Sequence, residues 1–150
     1  PEKVYPNKSF MVAKFSKTDN PWANAFMQLP AGYRFDLRDR STFKMMVRGE
    51  AGQEILLKLE NTDLGGQAYT TGVDLTYTIQ ESETWEVAEY DFAGVAAADG
   101  TPDVTNSQYE SDYYNVVRIM CNPGVGDGTH EFYLDELSGP HVEGIKSAQQ

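Results

Sequence analysis

A single cysteine, Cys121, stands in the 150-residue chain, which excludes an intrachain disulfide and a cysteine-rich zinc site. Basic residues are scarce: 12 Lys and Arg face 23 Asp and Glu, a formal net charge of -11. Phosphate backbones need a basic surface, so nucleic acid is excluded as a partner. The same balance opposes anionic membranes and leaves a strongly anionic polymer a poor partner outside a local basic patch. No apolar run is long enough for membrane insertion. Histidine is limited to His130 and His141, and no Gly-x-Ser-x-Gly, metal-binding His pair or phosphate loop is present, so the common catalytic signatures are missing. Helical patterning is absent as well; Ala96, Ala97 and Ala98 are too few for more than a turn.

What the chain does have is alternation. In residues 43–61, Phe43, Met45 and Val47 alternate with Lys44, Met46 and Arg48. After the loop 49–53, Ile55, Leu57 and Leu59 alternate with Leu56, Lys58 and Glu60. A period of two sends one set to each face of a strand. One face is apolar and must be buried; the other is mixed and suited to a polar ligand. The pair is expected to form a central hairpin. Further strands are expected at 10–15, 23–29, 33–37, 73–79, 85–92, 113–122 and 131–137, separated by Pro- and Gly-bearing turns. The fold class expected is all-β: an antiparallel β-sandwich of jelly-roll type with about nine strands. Residues 1–140 form the sandwich in this reading and 141–150 a C-terminal linker or tail. Residues 94–111 make a long connection, a length more often functional than incidental. Cys121, in an apolar run, is expected to be a buried, inert thiol.

Several strings occur together in one order: Asn7-Lys8-Ser9 before Val12-Ala13-Lys14-Phe15, then Trp22-Ala23, Lys44-Met45-Met46-Val47, Leu57-Lys58-Leu59-Glu60-Asn61, Trp85-Glu86 with Tyr90-Asp91-Phe92, and Phe132-Tyr133-Leu134-Asp135-Glu136-Leu137. This ordered set resembles jelly-roll, galactose-binding-like carbohydrate-binding modules of secreted bacterial polysaccharide-utilisation proteins, over most of residues 7–140. The resemblance implies a non-catalytic module in a secreted or cell-surface protein. Its partners would be a polysaccharide or oligosaccharide and a neighbouring domain of a longer chain. It also implies a structural calcium, with Asp135 as a ligand in the last strand and Glu2 the one acidic candidate near the start. The chain departs from such modules at its beginning, where an extra strand bearing an acidic residue is missing or lies upstream of Pro1.

A glycan site needs flat aromatic surface against sugar C–H faces and planar polar groups for hydroxyls. The aromatic candidates are Trp22, Tyr69 and Trp85, with Tyr113 beside Tyr109 and Tyr114 at the long connection, and Tyr77 on a strand. Trp85 has two readings, core packing at a strand start or a stacking surface. The polar candidates are Arg48, Lys58, Glu60 and Arg118. If Val117, Ile119 and Cys121 point inward and these strands are neighbours, the four line one sheet face. The competing readings are a solvated face of cross-strand ion pairs on a spacer domain, and a lyase-like enzyme in which Tyr, His, Arg or Gln converge on one surface, with His130 as a member.

Overall fold

In the computed structural model, which describes residues 7, 9–69, 71–95 and 113–145, ten strands are present among the described residues. They are β1 (Ala13–Lys17), β2 (Ala25–Gln28), β3 (Tyr33–Asp36), β4 (Thr42–Arg48), β5 (Glu54–Glu60), β6 (Val73–Thr78), β7 (Glu86–Asp91), β8 (Val116–Cys121), β9 (His130–Ser138) and β10 (His141–Gly144). Two antiparallel four-stranded sheets, ordered β1-β9-β4-β7 and β2-β8-β5-β6, form an antiparallel β-sandwich of jelly-roll type. A short 3-10 stretch, Thr62–Gln67, links β5 to β6; the Asn61 side chain caps it by accepting from the Asp63 N–H at 3.0 Å.

Alternation fixed which side chains are dry, and the core follows from it. Phe43, Met45 and Val47 of β4 are buried, as are Ile55, Leu57 and Leu59 of β5. Ala88, Tyr90, Val117, Cys121, Phe132 and Leu134 join the same cluster. The Tyr90 hydroxyl, carried by β7, donates to the Ile55 carbonyl of β5 at 2.9 Å and so ties one sheet to the other. Burial of such a phenol raises its pKa. Cys121 is fully buried and its thiol is pushed up to about 12 by desolvation, which makes it inert.

Two expectations are corrected. β4 and β5 are not a hairpin: the 49–53 loop carries the chain from one sheet to the other, and their apolar faces belong to one core. A two-residue period specifies a face but not a neighbour, and two strands with one dry side each fit across a sandwich as well as beside each other. The boundary expected at Pro140 also falls inside the fold. β10 pairs with β3 from His141↔Asp36 to Gly144↔Tyr33. Glu143 accepts from Arg34 Nε at 2.7 Å and Arg38 at 2.6 Å, and the Ile145 N–H donates to the Gly32 carbonyl at 2.7 Å. Among the described residues, no helix is long and apolar enough to cross a membrane.

Candidate functional site

The outer face of the β2-β8-β5-β6 sheet is built by register. Lys58 opposes Arg118 on one side and Asp74 on the other, and Arg118 opposes Phe26, so one cross-strand row reads Phe26, Arg118, Lys58, Asp74. The next row carries Met120, Leu56 and Thr76. A cleft of about 480 Å³ opens over these rows, lined by Trp22, Asn24, Leu56, Lys58, Glu60, Tyr69, Asp74, Arg118 and Met120. Leu56 and Met120 supply an apolar floor. Trp22, 61% exposed, and Tyr69, 70% exposed, stand over it with large uncovered rings.

The polar groups are held before any ligand arrives. Glu60 is 5% exposed, and its carboxylate accepts from Arg118 Nε at 2.9 Å and lies 3.8 Å from the Lys58 ammonium. Arg118 also donates to the Asn24 side-chain oxygen at 3.1 Å, and its guanidinium lies 4.9 Å from the centre of the Phe26 ring. Lys58 donates to the Tyr69 carbonyl at 2.9 Å and sits 5.6 Å from its ring centre. Lys58, Glu60, Asp74 and Arg118 sum to zero charge.

Trp22 is placed by a buried cation. Lys17, 1% exposed, donates to the carbonyls of Pro21 at 3.3 Å, Cys121 at 2.9 Å and Asn122. Burial lowers its pKa from the ordinary 10.5. It thereby pins the segment before Trp22 to the end of β8. The Trp22 N–H donates to Asn20 Oδ1 at 2.9 Å, and the Gly124 N–H donates to the Pro21 carbonyl at 2.9 Å. Gly126 lies so close that a Cβ there would sit 2.6 Å from the Asp19 carbonyl oxygen.

Of the candidates named from sequence, Trp22, Lys58, Glu60, Tyr69 and Arg118 converge on this cleft. Arg48 does not: it belongs to β4, in the other sheet, and donates to the carbonyl and carboxylate of Glu83. Half-buried Trp85 precedes β7 and is not among the lining residues. Tyr113 precedes β8 and donates to Asp63 at 2.6 Å, outside the cleft. Tyr77 is turned away, donating at 2.7 Å to the buried Glu86. Tyr114 is buried, and Tyr109 lies outside the described residues, as does most of the 94–111 connection. Asn24, Phe26, Asp74 and Met120 were not among the candidates, although each lies in an expected strand.

Asp135 is on β9, in the sheet without the cleft. Its carboxylate accepts from Asn7 Nδ2 at 2.6 Å and from the Glu136 N–H at 2.8 Å. Hydrogen bonds from Ser9, Asn7 and the Glu136 backbone lower its pKa. Calcium takes six to eight oxygen ligands. Among the described residues no group of three or more His, Cys, Asp or Glu is placed to hold a metal ion, and Glu2 lies outside them.

No family model matches the chain. No curated protein matches it either. Among solved structures, the fold is similar to a family 11 carbohydrate-binding module from Clostridium thermocellum, solved with a β-1,3-1,4-mixed-linked tetrasaccharide. That likeness has a TM-score of 0.50 at 11% identity, over 88% of this chain and 89% of that one. The family 11 module of the cellulosomal cellulase Lic26A-Cel5E of the same organism gives 0.48 at 11% identity, over 89% of each chain. A family 4 carbohydrate-binding module gives 0.46 at 11%, over 92% of this chain and 87% of that one.

Proposed function

We propose that the chain is a non-catalytic carbohydrate-binding module that holds a neutral polysaccharide in the cleft between Trp22 and Tyr69. The observation that carries this reading is two uncovered aromatic rings over an apolar floor, with a fixed guanidinium among them. Sugar C–H faces stack on the rings, and Arg118 and Asn24 meet hydroxyls. The balanced local charge gives a uronate no net attraction. Pre-set donors lower the ordering cost of binding. An open cleft of this kind gives dissociation constants from about 1 mM to 1 μM, roughly -4 to -8 kcal/mol, raised by multivalency when the module is attached to an enzyme or surface receptor.

Affinity electrophoresis against neutral and acidic polysaccharides, with a product assay alongside, tests the reading. Retardation by at least one neutral polysaccharide without turnover is expected, and a mixed-linkage β-glucan is a suitable first probe. Absence of retardation would favour a spacer domain, and release of unsaturated sugar would favour a lyase. A calcium bound near Asp135 would lie on the sheet that lacks the cleft. Chelator is therefore predicted to leave retardation unchanged, and its loss on chelation would assign the ion a binding role.

A further inference from the structure

A second cavity, of about 260 Å³, lies on the other sheet and shares no lining residue with the cleft. Its wall is made by Arg48, the 49–53 loop, Glu83, and Thr129, His130, Glu131 and Tyr133 at the start of β9. Arg48 and Tyr133 are cross-strand partners on β4 and β9. Four residue types that would suit a lyase, Arg48, Gln53, His130 and Tyr133, therefore do meet here.

Their connections argue for holding rather than cleaving. The Gln53 side-chain oxygen accepts from the Glu50 N–H at 2.9 Å, and its Nε2 lies 3.3 Å from His130 Nδ1. The other imidazole nitrogen lies 3.0 Å from Asp127 Oδ1. Amide and imidazole are thus locked in one chain of contacts. Arg48 is bound to Glu83 and lies 5.6 Å from the centre of the half-buried Tyr133 ring. A β-elimination needs a cation free to neutralise a uronate, and here the lining's Arg48 is paired with Glu83 and Glu131 with Lys14, which leaves the charge of Glu50 in excess.

We propose that this cavity is a second glycan-binding site, for a single neutral sugar residue such as a chain end. Its volume is about half that of the cleft, too small for a run of several rings. Recognition is by hydrogen bonds to sugar hydroxyls from the second Gln53 amide hydrogen, Thr129 and the Tyr133 hydroxyl, whose contact with Glu131 is a long 3.4 Å, while His130 holds the Gln53 amide in place. The excess negative charge of Glu50 disfavours anionic sugars. The site stands whether or not the cleft binds, because the two have no residue in common.

The test is a ¹H–¹⁵N NMR titration of the full chain with methyl glycosides of glucose, galactose, mannose and xylose, and with methyl glucuronide. The expected result is saturable shifts at the Gln53 side-chain amide and the Gly49 and Glu50 backbone amides with at least one neutral glycoside. The Gly49 and Glu50 shifts persist in Trp22→Ala, report an affinity about tenfold weaker in Gln53→Ala and in His130→Ala, and are absent with the glucuronide. The proposal is overturned if no neutral glycoside moves those amides in the wild-type chain, if the shifts vanish in Trp22→Ala, or if the glucuronide binds as well as the neutral sugars.

Discussion

Lys17 shows how one side chain controls a site it never touches. Its ammonium satisfies three carbonyls at the junction of the Trp22 segment and the end of β8. Lys17→Met keeps the length but leaves those acceptors without their charged donor. It is predicted to cost about 1–3 kcal/mol of stability, read by urea unfolding, and to weaken glycan binding at temperatures where the variant is fully folded. Unchanged affinity in the folded variant would mean that Trp22 is placed by its other contacts. Nothing in the sequence marked Lys17, because it falls just past the expected strand 10–15, in a turn-rich stretch, and its partner Cys121 is 104 residues away. The candidates that meet in the cleft were chosen on local grounds, Lys58, Glu60 and Arg118 by their strands' alternation and Trp22 and Tyr69 by aromatic type alone. Arg48 was misplaced because alternation puts it on an outer face without saying of which sheet.

At the scale of the element, strand positions were readable and strand pairing was not. The expected segments 73–79 and 113–122 contain β6 and β8, since runs of Thr, Tyr and Val between turns carry their own signal. The crossing of β4 to β5 and the pairing of β10 depend on contacts distant in sequence. β10 is also short, with Val142 48% exposed, so it lacks the apolar face that identified the others. It is held largely by polar contacts, in which Glu143 bridges Arg34 and Arg38. Ending the chain after Pro140 removes that carboxylate and leaves β3 without its partner. The truncated protein is predicted to melt several degrees lower than the full chain by differential scanning fluorimetry, with glycan binding retained because neither strand lines the cleft. An unchanged melting temperature would show that β10 adds nothing to the fold.

For the whole molecule, pH acts through two opposed effects. A net charge of -11 repels itself, and acidification toward the sequence pI of about 4.5 relieves that repulsion. Against this, hydrogen bonds and ion pairs hold Asp36, Asp91, Asp127, Glu131 and Asp135 below their ordinary values. Depressed carboxylates stabilise the fold above the ordinary carboxylate range, and the contribution is lost as pH falls through it toward their folded-state values. The melting temperature is therefore predicted to be level or to rise slightly from pH 7 to about 5, then to fall below about 4. A continued rise below pH 4 would show that charge repulsion outweighs these contacts.

Glycan binding is assigned to the face of the β2-β8-β5-β6 sheet, and the most direct test of that assignment is calorimetric. The neutral polysaccharide that most retards the chain is titrated against wild type, Trp22→Ala and Lys44→Ala, the last changing an ion pair with Glu89 on the opposite sheet. Trp22→Ala is predicted to bind about 30-fold more weakly, near 2 kcal/mol, while Lys44→Ala binds as wild type does. Equal affinity for wild type and a folded Trp22→Ala would contradict the assignment of the cleft.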